Sequence, residues 1–142
     1  MKLRIAILVF GLIVISVGEV YGADWKLFDF NDYTLNYYDA QSVTRPSKNV
    51  VRVWIRRDFT EKGVIDWVGR LGKGYENLNN SIDLWEINCI EKMVRQLSGI
   101  AYDNKGRVIN SYSSPSEWNF IPPESRGETL YKEICKYRRS QN

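Results

Sequence analysis

No stretch constrains the fold more than VVRVWIRR, where Val51, Val53 and Ile55 alternate with Arg52, Trp54 and Arg56. Successive side chains of a strand point to opposite faces. A period of two therefore marks a half-buried strand, with an apolar face turned to a core and a face of arginine and tryptophan turned to water. Whatever else the chain contains, it contains a sheet with one dry and one wet side.

Five further segments read as strands: Trp25 to Phe30, Thr34 to Tyr38, Ile82 to Cys89, Lys92 to Tyr102 and Arg107 to Tyr112, with the turn-forming FNDY, RPSKN and LNNS between them. Asp103, Asn104, Lys105 and Gly106 suit a type I turn closed by a left-handed glycine, which pairs the last two strands antiparallel. FIPP cannot continue a ladder, because proline has no amide hydrogen to donate. Ser125 and Glu128 then stand at capping-box spacing and start a helix. On it Leu130, Tyr131, Ile134 and Cys135 form one stripe, so Cys135 looks inward. Between the strands, Val64, Ile65, Trp67, Val68 and Leu71 suit a short amphipathic helix that Gly69, Gly72 and Gly74 weaken. A short helix or an ordered loop is expected there.

The chain opens with MKLR, an apolar run from Ile5 to Val17 and then GEVYGAD, the layout of a secretory signal peptide. Residues 1–22 are expected to be removed, with Val20 and Gly22 at the small positions and the cut before Ala23. An apolar run of about 13 residues falls short of the roughly 18 that span a bilayer, so no stable transmembrane segment is expected after cleavage. Residues 23–142 are expected to form a single domain, long enough to bury about two-thirds of its unfolded surface. Losing Lys2, Arg4 and Glu19 from 20 basic and 17 acidic residues leaves 18 and 16. So even a balance argues against a nucleic-acid partner.

Export also decides how Cys89 and Cys135 read, since an even pair in an oxidising compartment most often forms a disulfide. A metal site needs more ligands, and a nucleophilic thiol needs a base, yet the chain has 0 histidines. The same absence removes every catalytic arrangement built on imidazole. The carboxylate pairs Asp83 with Glu86 and Glu124 with Glu128 read as ordinary solvated positions. The glycines of GRLGKGYEN miss both the phosphate-loop and the dinucleotide patterns, and Lys105 spoils the calcium-loop reading of DNKG. Asn79, Asn80 and Ser81 match a glycosylation acceptor. No catalytic residue, cofactor or metal is expected, and the chain is not expected to be an enzyme. What remains is 5 tryptophans and 9 tyrosines interleaved with arginine, at Arg52, Trp54, Arg56 and Arg57 and again at Trp67 and Arg70. Arginine and aromatic side chains together are what protein interfaces use, so Arg52, Trp54 and Arg56 are the expected partner-binding residues.

The order of YYD (Tyr37 to Asp39), VRVWIRR (Val51 to Arg57), LWEINC ending at Cys89, YDNKGRVINSY (Tyr102 to Tyr112), EWNFIPPES (Glu117 to Ser125) and GETLYKEIC (Gly127 to Cys135) resembles the bacterial surface-adhesin protein E-like domain family. The likeness covers Trp25 to Cys135. It implies an α+β fold: an antiparallel β-sheet of about six strands with a C-terminal helix packed on one face, and a strand-to-helix disulfide at Cys89 and Cys135. It also implies a place in the bacterial envelope, where members of the adhesin type bind host extracellular-matrix proteins. No cysteine follows the expected cut to carry a lipid, which favours a periplasmic or released form over a tethered one. The first expectation is an exported, non-catalytic domain that binds a protein or envelope partner, with a homodimer as one such form. The second is a periplasmic small-ligand-binding or sensing domain, with a cleft between helix and sheet lined by tyrosine and tryptophan.

Overall fold

The computed structural model describes residues 22–136. Residues 1–21, nearly all of the expected leader, lie outside the described residues. In chain order the strands are β1 (Trp25–Phe30), β2 (Thr34–Asp39), β3 (Thr44–Ser47), β4 (Val50–Phe59), β5 (Leu78–Asn88), β6 (Met93–Asp103), β7 (Val108–Tyr112) and β8 (Asn119–Phe120), with helices α1 (Glu61–Leu71) and α2 (Arg126–Ile134). They form one antiparallel sheet in the order β1-β2-β4-β5-β6-β7. Because β5 pairs with β4 from Val50 to Asp58, β3 must sit on the β2 side of β4, and β8 likewise extends the β7 side of β6.

The alternation of β4 fixes the core. Val51, Val53 and Ile55 are buried with Tyr38, Ile87 and Cys89 beneath Leu130 and Ile134 of α2, and the register sets Val51 beside Ile87 and Ile55 beside Tyr38. Each such side chain contributes about 1.5–3 kcal/mol when fully buried. Phe59 has the same parity and meets Trp67 of α1 edge to face at 5.2 Å. Both helices therefore lie on one face, which leaves the face of Arg52, Trp54 and Arg56 without a helix among the described residues.

Local signals account for both helices. Ser125 caps α2 by accepting from the Glu128 amide, while Glu128 accepts from Glu124 N at 2.8 Å rather than from the cap residue, a variant of the expected box. Thr60 caps α1 in the same way, accepting from Gly63 N at 3.1 Å. The middle segment is a helix that absorbs Gly69, stops at Gly72 with φ of 99° and continues into a single 3-10 turn, Lys73–Tyr75. Gly63 is required by close approach, since a Cβ there would collide with the Tyr33 carbonyl. The disulfide joins Cys89, just past β5, to Cys135, just past α2, and Tyr131 Oη donates to the Cys89 carbonyl at 3.2 Å.

Some boundaries differ from expectation. LNNS is the start of β5 rather than a turn, so Asn79 stands exposed on a strand. RPSKN hides β3, which tolerates Pro46 because it pairs with β4 alone. Two short residues of ladder, Asn119 and Phe120, form before the prolines end it. Among the described residues no helix is long and apolar enough to cross a membrane.

Candidate functional site

On the helix-free face, Arg52, Trp54 and Arg56 stand as their alternation requires, all half-buried. Trp54 lies across from Leu84, and Arg56 lies between Ile82 and Tyr37. The arginines are not free. Arg56 Nε donates to Asp58 Oδ1 at 2.7 Å, and Arg52 donates to Glu86 Oε1 from Nε at 3.0 Å and Nη2 at 2.7 Å. From the other flank, Arg95 reaches Glu86 Oε2 from Nε at 2.8 Å, and its guanidinium stacks on Trp118 at 4.6 Å. Glu86 is thus not the solvated residue its charge suggests: only 2% of its side chain is exposed between two guanidinium groups. Burial works to raise its pKa, but the hydrogen bonds and charges of Arg52 and Arg95 together outweigh it, and the net shift is downward.

The helix side changes character along β4. The apolar series Val51, Val53, Ile55 is interrupted at Arg57, a charge on the core parity, before Phe59 resumes it, and around Arg57 the covered face is polar. Arg57 Nε donates to Asn36 Oδ1 at 3.3 Å; Asn36 in turn donates to Asp29 Oδ2 and Thr34 Oγ1, each at 3.1 Å. Arg126, at the start of α2, donates to the same Asp29 oxygen at 3.1 Å. Asp83 is the second carboxylate that is buried where solvation was expected, accepting from Ser81 Oγ at 3.0 Å. Burial raises its pKa, and the nearby charge of Arg57 only partly offsets this. Gly99 makes room for the Tyr112 ring beside Asp83, since a Cβ would stand 2.7 Å from the hydroxyl. Partial burial and then the Asp83 charge push the Tyr112 phenol up to about 12.

Two open clefts result, sharing Arg57 and Trp67. One, about 550 Å³, lies between the helices and is lined by Asn31, Tyr33, Arg57, Trp67, Arg70 and Arg126. The other, about 320 Å³, runs over Asp83, Gln96, Tyr75 and Tyr112. The expected tyrosine and tryptophan cleft is therefore present, although its floor is charged. Arg57 and Arg126 were missed as site residues, and Arg57 alone carried a sequence signal, being the charge that interrupts the core parity of its strand.

An antiparallel sheet with both helices on one face and a C-terminal helix tied to it by a disulfide defines the class of domain. The family model for surface-adhesin protein E matches residues 25–136, and the chain belongs to that family. Among solved structures, crystal form II of Haemophilus influenzae protein E superposes with a TM-score of 0.53 at 12% identity, covering 82% of this chain and 98% of that one. Protein E from non-typeable Haemophilus influenzae gives 0.50 at 14% identity, covering 79% and 75%. At such identities the likeness is one of fold. No curated protein matches the chain.

Proposed function

We propose that this is an exported, non-catalytic binding domain of the bacterial envelope, which presents its helix-free sheet face to a protein partner. The observation that carries the reading is that Trp54, Leu84, Ile82 and Tyr37 share an uncovered face flanked by Arg52, Arg56 and Arg95. An apolar centre with an arginine rim suits a protein surface with an apolar patch and acidic border. The ion pairs to Glu86 hold two of those guanidinium groups in fixed orientation, so less side-chain entropy is lost on contact. Membership of a surface-adhesin family supports both export and binding. Cleavage before Ala23 belongs to the same proposal, and N-terminal sequencing of the exported protein checks it.

The test compares envelope proteins retained by the wild-type domain and by the Arg52→Ala/Trp54→Ala/Arg56→Ala variant, with light scattering on both to register self-association. Loss of a retained protein, or of a dimer, in the variant is the expected result. Identical partner sets and identical mass for the two would remove this face from consideration.

A further inference from the structure

The cleft between the helices gathers three arginines from three elements, far from the Trp54 face. Arg57 comes from β4, Arg70 from the last turn of α1 and Arg126 from the first residue of α2, and all line the same space of about 550 Å³. Among the described residues the one carboxylate lining it with them is Asp66, which is ion-paired with Arg70. Asp29 and Asp83 are not among its lining residues, the first being bonded to Arg126 and the second, in the adjoining cleft, acting on Arg57 through its charge. Arg57 is the informative member. Its side chain makes a single hydrogen bond, from Nε to Asn36, so among the described residues its two terminal nitrogens have no acceptor. Burial lowers its pKa, Asp83 opposes this, and the like charge of Arg126 adds to the lowering. Two guanidinium groups that line one cleft, one of them with terminal donors free, suit an oxyanion, which a guanidinium grips through paired hydrogen bonds.

We propose that this cleft binds a small organic anion, with a carboxylate or phosphate group on Arg57 between Arg70 and Arg126, and a flat or apolar body against Trp67. The volume lies within the roughly 300–1,000 Å³ of small-molecule sites, and Trp67 already takes a cation on its face, Arg70 at 5.8 Å. The site is independent of the contact face proposed above.

Phenyl phosphate, benzoate and inorganic phosphate are the probes, titrated while the Trp67 indole N–H is followed by NMR, with Trp67→Phe giving the assignment. The organic anions should give a saturable shift at about millimolar concentration, inorganic phosphate a weaker one. Arg57→Gln and Arg70→Gln should each weaken binding about tenfold, the size of one charge-assisted hydrogen bond, and Lys48→Gln, at an exposed position outside the cleft, should leave it unchanged. Arg70 is exposed, so its variant remains readable if Arg57→Gln folds poorly. Vesicles containing phosphatidylglycerol form a second arm: sedimentation that depends on Arg57 and Arg70 would support the site with a lipid headgroup as the source of the anion. The proposal is overturned by the absence of both a saturable shift and arginine-dependent vesicle binding, or by undiminished binding in the two arginine variants.

Discussion

Asp83 and Glu86 stand three residues apart on β5, both buried, and point to opposite faces of the sheet. Each has a guanidinium for a neighbour, yet their pKa values move in opposite directions. Glu86 receives hydrogen bonds from Arg52 and Arg95 on both of its oxygens. Asp83 feels the charge of Arg57 but takes its hydrogen bonds from the neutral Ser81 and Gln96. A nearby cation alone does not compensate a buried carboxylate; donated hydrogen bonds from that cation do. The helix-free face is therefore electrostatically settled, whereas the covered face holds a carboxylate and an arginine that remain poorly matched.

The largest effect should come from the staple. Replacing Cys89 and Cys135 by alanine opens a link between residues 46 apart and should cost about 2–4 kcal/mol in denaturant unfolding. Hydrogen exchange should show the loosening in α2, with amides around Glu86 little changed; equal loosening of both would mean that the two faces are not independent. Next, Gly99→Ala presses on the Asp83 side alone and should cost about 1–3 kcal/mol, as overpacked sites do. Displacing Tyr112 should bring its phenolate titration from about 12 back toward 10.0, read by ultraviolet absorbance, and an unmoved titration would contradict the packing described.

The smallest effects make the sharpest contrast. Glu86→Gln should lose about 1–2 kcal/mol at neutral pH, discounted because its arginines are partly solvated. Asp83→Asn should change stability by less than about 0.5 kcal/mol or raise it slightly, because the charged form is the disfavoured one. The pH dependence follows. The contribution of Glu86 is complete above its ordinary value of 4.5 and is lost as pH falls through the lower folded-state value. Asp83 acts the other way, its protonation stabilising the fold fully below 3.8 and ceasing to do so as pH rises through the raised value. Unfolding measured from about pH 3 to 7 should thus show a flatter acid limb for Glu86→Gln and a steeper one for Asp83→Asn. Parallel curves would erase the distinction.

Local chemistry was legible where it was local. The β4 alternation, the hairpin turn closed by Gly106 with φ of 75° and the Ser125 cap each depend on residues a few positions apart. The inward stripe of α2 could be read for the same reason; the Cys89–Cys135 pair, 46 residues apart, was legible only because the chain has just two cysteines and export was expected. The carboxylates could not, because a charge reads as solvated until its partners are known, and Arg52 reaches Glu86 from 34 residues away. The cleft was hidden more deeply still, since Arg126 and Asp29 meet across 97 residues. Pro46 concealed β3 because proline is depleted in strands in general, while the exception at an edge position depends on pairing that only the register reveals.

The two helices are held very differently. α2 buries Leu130 and Ile134 and ends at a covalent tie, whereas the only buried residue of α1 is Gly63, the one pressed against the Tyr33 carbonyl. In terms of local opening, the free energy needed to detach α1 is the smaller. The cleft between them consequently has one anchored side and one compliant side, so adaptation to ligands of different size falls to Trp67 and Arg70, while Arg57 and Arg126 keep their places.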